Sequence, residues 1–338
     1  AGDLVRRGHE VWIEQSAGIK SGFRDGDYEK LGVHIAPDAA ALYEKGELIV
    51  KVKEPIAGDL ALLRPEHLLF CYLHLAPEPE LTKRLLDIGL TGIAFETVEL
   101  PNGDLPLLAP MSVIAGKIAV QVGTHYLHQP LGGKGKLLGG LPATERGKVV
   151  VFGAGQAGGA SAALAAAGGS NVVVFEMRAD RMEEMMRLGN NVTALYPYED
   201  LVASEVASAD LVVGAVLVTG AVAPHVVTRQ MMSAMEDGSV LVDISIDQGG
   251  CFETSRPTTW KEPVYVEEGI THFCVTNMPG AVPQTSSQAI CAAILPWVNK
   301  LATGAAPGNS WRDNQALMRG INVERGRIIH PALQHLAA

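Results

Sequence analysis

Helices alternate with strands that are apolar on both faces along most of the 338-residue chain, and that alternation predicts an α/β protein of parallel sheets covered on both sides. The length exceeds what one core ordinarily takes, so two doubly wound parallel-sheet domains are expected. A third observation is local. The apolar run Val149 to Phe152 breaks into Gly153-Ala154-Gly155-Gln156-Ala157-Gly158 and then into an alanine-rich helix. Strand, tight turn and helix with G-x-G-x-x-G at the turn is the pattern of a Rossmann-type domain.

From the N-terminus, Asp3 to Arg7 reads as the end of a helix closed by Gly8, followed by a strand from Glu10 to Glu14. A strand ordinarily precedes such a helix, so the chain reads as though a first βα step were cut away. Helical segments at Asp27–Leu31 and Ala40–Lys45 lead to a strand, Leu48–Lys53, which Glu54-Pro55 stops because proline cannot donate to a ladder. Leu68–Leu75 is an apolar strand with His74 at its carboxyl end. Leu81–Ile88 is an amphipathic helix ended by Gly89, and Thr91–Val98 is the next strand. Pro110–His128 is a long apolar helix, read with Gln288–Leu301 as the pair of helices joining the domains. A glycine-rich loop, Leu131–Leu141, leads to strands at Val149–Phe152, Asn171–Phe175, Val192–Tyr196, Ala209–Val216, Ser239–Ile246 and His272–Thr276, with a helix at Met182–Leu188. The tail from Asn309 to His335 is of mixed character. These segments divide the chain into a discontinuous substrate and catalytic domain, residues 1–109 plus 286–338, and a nucleotide-binding domain, residues 110–285, that includes the connecting helix 110–128.

Composition narrows the class. Hydrophobic residues make up 47% and charged ones 19%, the balance of a soluble globular protein with a large interior. With a net charge of −10 and no basic run, nucleic acid is not an expected partner. No apolar stretch reaches the roughly 18 residues that would span a bilayer. The first residues carry no signal-peptide pattern, and the four cysteines (Cys71, Cys251, Cys274, Cys291) form no C-x-x-C pair, so buried thiols in a reducing cytoplasm are expected rather than disulfides or a metal site.

The candidate chemistry lies at strand ends, where ligands of such sheets gather. In the fingerprint, Gly153 permits the turn, Gly155 lets backbone approach a pyrophosphate, and Gly158 lets the helix pack close to the strand. Glu176 ends the following strand, 176 − 153 = 23 residues after the first glycine, near the spacing of a ribose-binding acid. Lys51 and Lys53 fall on one side of their strand. Lys53 is then either a fixed positive charge for a carboxylate or carbonyl oxygen, or part of a solvated edge. His74 is either a proton donor and acceptor or a satisfied core histidine. Asp247, before Gln248-Gly249-Gly250, either meets a bound nicotinamide or supports the bend as an Asx turn. Ser112 opens the connecting helix, as a cap or as a cofactor contact. His125, His128 and His225 form no metal-ligand pattern.

Longer motifs carry a resemblance. KVKEP at Lys51–Pro55, LHLA at Leu73–Ala76, PLLAPMS at Pro106–Ser112, GAGQAG, GAVLVTG at Gly214–Gly220, VDISIDQGGCFE at Val242–Glu253, SRPTT at Ser255–Thr259 and NMPGAVPQTSS at Asn277–Ser287 resemble the alanine dehydrogenases. More distantly they resemble the NAD-binding subunit of proton-translocating transhydrogenase, which lacks the lysine–histidine pair in this arrangement. The resemblance implies NAD-dependent, reversible oxidative deamination of L-alanine to pyruvate and ammonia by a homo-oligomer, most often a hexamer. It implies that Lys53 holds the pyruvate oxygens, His74 is the acid/base, and Asp247 assists attack and loss of ammonia and water. Glu176 takes the place of the acid on the adenosine ribose, and Ser112, Val216, Asn277 and Met278 match positions near the cofactor. One departure stands out: the family's first strand, with a P-K-E…R-V segment whose arginine pairs the substrate carboxylate, is absent, and Arg6 and Arg7 match positions on the following helix. Two alternatives follow, an NAD(H)-binding module without catalysis and a dehydrogenase for another small amino acid.

Overall fold

The computed structural model describes residues 1–216, 224–304 and 310–336. Residues 217–220 of the Gly214–Gly220 motif, and Asn309 of the tail, lie outside the described residues. The chain forms two compact units, Ala1–Pro110 with Val282–Ala338, and Met111–Ala281.

In the first unit β1 (Trp12–Glu14) and β2 (His34–Ala36) form a small parallel sheet of their own. β3 (Leu48–Val50), β4 (Leu68–Cys71) and β5 (Thr91–Ala94) run parallel side by side. The helix Pro79–Ile88 joins β4 to β5; proline opens it, where no N–H is needed, and Gly89 closes it in the left-handed conformation with φ +81°. Leu69, Cys71, Leu73, Leu85, Leu90 and Ala94 share one buried cluster, so strand faces and helix stripe are packed as the apolar runs require.

The second unit begins in the helix Ala109–Tyr126, which crosses the boundary between the units, and continues through β6 (Lys148–Phe152), β7 (Asn171–Phe175), β8 (Val192–Leu195), β9 (Leu211–Gly214), β10 (Val240–Asp243), β11 (Val264–Glu267) and β12 (Ile270–Phe273). Their order across the sheet is β8-β7-β6-β9-β10-β12-β11, all parallel except the edge strand β11. The order reverses between β6 and β9, and at that point a doubly wound sheet opens a crevice at its carboxyl edge. The chain then returns to the first unit, where β13 (Ile321–Glu324) pairs antiparallel with β5 and β14 (Arg327–Ile328) pairs antiparallel with β13.

Several elements differ from the sequence reading. The regular strands are shorter: β3 ends at Val50, β4 at Cys71, β5 at Ala94 and β10 at Asp243. Past β5 and β10 the chain tightens into 3₁₀ turns, Phe95–Thr97 and Ile244–Gln248, so Asp247 sits in a turn and not at the end of a strand. The helix starts at Ala109, which puts Ser112 inside its first turns and removes the capping role. β2, β11, β13 and β14 were not anticipated; they are short or half-polar, and an antiparallel edge strand needs no long apolar run.

Leu241, on the central strand β10, has 0% exposure, and Val266, on the edge strand β11, has 67%. Leu241→Ala is expected to cost about 2–5 kcal/mol in urea unfolding, and Val266→Ala to stay within about 0.5 kcal/mol of the parent.

Candidate functional site

The three fingerprint glycines do three different things. Gly153 has φ +91°, and a Cβ there would approach the Ala215 carbonyl oxygen to 2.7 Å, so the turn and the neighbouring β9 end both exclude a side chain. A Cβ on Gly158 would lie 1.8 Å from the Gly153 carbonyl oxygen, which makes glycine the condition for the helix Gln156–Ala167 to pack on its own strand. At Gly155 a Cβ would meet nothing nearer than Arg181 Nη1 at 3.7 Å. A Cβ at Gly155 would thus touch only the end of the Arg181 side chain, and this residue also begins the helix with no side-chain cap, leaving backbone donors for an anion.

Glu176 follows β7, and its carboxylate is engaged by backbone. Its Oε2 accepts the Ala154 N–H at 2.9 Å, and its Oε1 accepts those of Met177 at 2.7 Å and Arg178 at 3.0 Å. The carboxylate thus ties the fingerprint turn to the end of the neighbouring strand. Val216, one strand over, offers its carbonyl to Ser245 Oγ at 2.7 Å, which joins the β9 end to the turn that carries Asp247. Asp247 is partly buried and its side chain makes no hydrogen bond or ion pair with another described residue, so the Asx-turn role does not apply to it. Asp243, four residues earlier, takes the supporting role. Fully buried, it accepts from the N–H groups of Ser245 and Cys251, both at 2.9 Å, and from the Ser255 hydroxyl. Burial pushes its carboxyl above the usual range, and those donors oppose the shift. Asn277 turns the chain after β12 with φ +56°, and Met278 is buried behind it. Ser112 lies four residues before Gly116, whose carbonyl accepts from Ser161 Oγ at 2.9 Å on the fingerprint helix. A Cβ on Gly116 would lie 2.1 Å from the Ala157 carbonyl oxygen, so the face bearing Ser112 is the one that packs on that helix.

In the first unit, the β3–β4 pairing outlasts the regular strands: Lys51 N–H donates to Phe70 O at 3.3 Å, and Tyr72 N–H to Val52 O at 3.1 Å. Lys53 is therefore registered beside the segment Tyr72–His74. Its ammonium has one acidic neighbour, Glu54 at 3.8 Å, and the side chain is 34% exposed. The two lysines read as one pair from their spacing have different partners, since Lys51 is held by Asp59.

His74 is held in an uncommon backbone conformation, with φ +46°. The holder is Glu96, in the 3₁₀ turn after β5, whose carboxylate accepts the His74 N–H at 2.6 Å and the Leu73 N–H at 3.2 Å. Nδ1 of His74 lies 4.0 Å from the same Glu96 oxygen, and Tyr72 stacks on the ring with 5.6 Å between centroids. Tyr72 is in turn fixed by its hydroxyl, which donates to the Leu107 carbonyl at 2.7 Å. His74 is thus not a satisfied core histidine; its Nε2 has no hydrogen-bond partner among the described residues. Glu96 and Asp243 were both missed in the sequence. Locally each shows only as an acidic residue inside an apolar run, which does not reveal the backbone groups it accepts from.

Of the eleven candidates, Lys53 and His74 belong to the first unit and are brought together by the β3–β4 pairing; the remaining nine belong to the second. Within the second unit, hydrogen bonds and close approaches link Gly153, Gly158, Glu176 and Val216 with the Asp247 turn. Among the described residues, no group of three or more His, Cys, Asp or Glu is arranged to hold a metal. Cys71, Cys251 and Cys274 are buried free thiols, and Cys291 is exposed.

Residues 1–115 match the model of the N-terminal domain, and residues 119–331 that of the C-terminal domain, of alanine dehydrogenase/PNT. The chain is 46% identical over 338 residues to an alanine dehydrogenase of Halomonas elongata, covering 98% of this chain and 90% of that one. It is 45% identical over 335 residues to the alanine dehydrogenase of Geobacillus stearothermophilus, covering 98% and 89%. Among solved structures it is similar to an L-alanine dehydrogenase, with TM-score 0.92 at 45% identity over 99% of this chain and 92% of that one. The transhydrogenase of Sinorhizobium meliloti shares the fold, with TM-score 0.80 at 24% identity over 98% and 93%. Matched by both domain models and by relatives of this identity along nearly its whole length, the chain belongs to the alanine dehydrogenase/PNT family.

Proposed function

We propose that this protein catalyses the reversible, NAD-dependent oxidative deamination of L-alanine to pyruvate and ammonia. The observation that carries the reading is the registration of Lys53 beside the His74 segment through the Tyr72–Val52 hydrogen bond, in a chain whose close relatives are alanine dehydrogenases. The second unit fits the cofactor: a Gly155 whose Cβ would touch only the end of the Arg181 side chain, uncapped N–H groups at the start of a twelve-residue helix, and a carboxylate at Glu176. Gly153, Gly155 and Gly158 would cradle the pyrophosphate and Glu176 the adenosine ribose, with Ser112, Val216, Asn277 and Met278 contributing further contacts. NAD, when bound, supplies the hydride acceptor.

The remaining steps belong to side chains. Lys53, a compact cation with three donors, would hold the substrate's carboxylate and carbonyl oxygens. Alanine first loses one ammonium proton to solvent; loss of hydride from the Cα of the neutral amine then leaves an iminium, which water attacks. His74 would take the proton of that water at Nε2, because the Glu96 carboxylate lies on the Nδ1 side and favours a proton there. As the carbinolamine collapses to pyruvate, the same nitrogen returns a proton to the departing amine, the hydroxyl proton passes to the released ammonia, and the Asp247 carboxylate favours the ammonium that forms. In the reductive direction each transfer runs backwards. A homo-oligomer, hexameric by family resemblance, and a cytoplasmic location that suits four free thiols complete the proposal.

His74→Ala is expected to lower kcat for NADH oxidation with pyruvate and ammonium by about 10²–10⁴-fold, while the NADH affinity read by fluorescence titration holds. Retained turnover would remove His74 from the acid/base role. Glu176→Ala leaves the Ala154 N–H without its acceptor and is expected to weaken NADH about 10- to 100-fold, with the pyruvate KM at saturating NADH unchanged. An unaltered NADH Kd would exclude Glu176 from the cofactor site.

A further inference from the structure

We propose that Asp59 positions Lys53, acting through Lys51, so that the two lysines of the loop divide between them the tasks of shaping it and binding substrate. The inference rests on the assignment of Lys53 to the substrate oxygens. Residues 51–56 have no regular structure between β3 and the short helix Ala57–Leu60. An irregular loop is a poor support for a charge that must be placed to within a fraction of an ångström, unless something else fixes it.

Asp59 supplies that fixing. One of its oxygens accepts from the Lys51 ammonium and from the Ile56 N–H at 2.9 Å; the other accepts from the Tyr43 hydroxyl at 2.9 Å. Lys51 also donates to the Glu54 carbonyl at 3.3 Å, so its ammonium bridges the loop backbone just after Lys53 to the following helix. The carboxylate therefore closes the loop from both ends, at Lys51 and at Ile56, with Lys53 between them. Burial by itself would raise the Asp59 carboxyl, but Lys51, the Ile56 N–H and Tyr43 outweigh it and hold the group below the usual range. The pair is partly buried, with side chains 24% and 16% exposed, which separates it from the solvent-screened pairs that contribute little. Tyr43 anchors the arrangement to the core. It is buried on the helix Ala39–Lys45, and its carbonyl accepts from His67 Nε2 at 3.1 Å, a tautomer set by the Arg64 N–H donating to Nδ1 at 3.0 Å. The charge of Lys51 is thereby consumed inside the loop, and that of Lys53 is left for a ligand.

Steady-state kinetics with pyruvate, ammonium and NADH test this on the full chain. Asp59→Asn keeps the shape and removes the charge that draws Lys51; it is expected to raise the pyruvate KM about tenfold while kcat and the NADH KM change less than about threefold. Lys51→Met should do the same, and the double variant no more than the larger single change, because both act on one bond. Tyr43→Phe, a mild change that retains the carboxylate, should raise the pyruvate KM about two- to threefold. If these variants lower the melting temperature and leave the pyruvate KM unaltered, the carboxylate only holds the fold and the inference is overturned. Lys53→Met separates that failure from the other one: an unchanged pyruvate KM there would show that Lys53 does not bind substrate, and both assignments would fall together.

Discussion

Where a parallel sheet ends, backbone N–H groups outrun the ladder, and in this protein a carboxylate takes them at each end that matters. Glu96 accepts from Leu73 and His74, Asp59 from Ile56, Glu176 from Ala154, Met177 and Arg178, and Asp243 from Ser245 and Cys251. Ladder bonds do not continue there, because the chain turns away from the sheet past β4, β7 and β10. An unpaired buried donor costs about 1–3 kcal/mol. A carboxylate offers up to four acceptor sites and meets two or three such donors at once. The cost of an unpaired donor applies at Leu73, His74, Ala154, Ser245 and Cys251, whose bonds to Glu96, Glu176 and Asp243 are partly or fully enclosed.

The same constraint separates what could be read from the sequence from what could not. The fingerprint was legible because its physics is local: three glycines, a strand and a helix within about twenty residues specify the turn. Buried parallel strands were legible as apolar runs, but their ends were drawn too long. Leu73, Leu75, Val98 and Ile246 are as apolar and as buried as the strand residues before them, yet they lie past the ends of the regular strands. Hydrophobicity reports burial, and it does not report where a ladder stops. The antiparallel additions, β11 and the β13–β14 pair, were hidden for the opposite reason, since half-polar edge strands carry little apolar signal.

Among site residues, Lys53 and His74 stood out through residue type and position, whereas Glu96 did not. Its role is to accept backbone donors from a strand more than twenty residues upstream, a relation that no local pattern encodes. Asp243 was passed over for Asp247 in the same segment because the two look alike in sequence. The structure distinguishes them by environment: the first is enclosed and bonded on both oxygens, the second is left without a partner among the described residues.

With the adenosine ribose assigned to Glu176 as proposed, the hydrogen bonds of that carboxylate limit how the cofactor preference of this scaffold can be changed. An enzyme redesigned to take a 2′-phosphate in place of a 2′-hydroxyl must give up a carboxylate at this point, since like charges repel. Here that carboxylate also holds the Ala154 N–H and the two N–H groups that follow β7. Exchanging it for a neutral or basic residue would release the Ala154 N–H of the fingerprint turn. Cofactor specificity is therefore tied to the integrity of the turn, and a swap requires a second substitution that supplies another acceptor for Ala154.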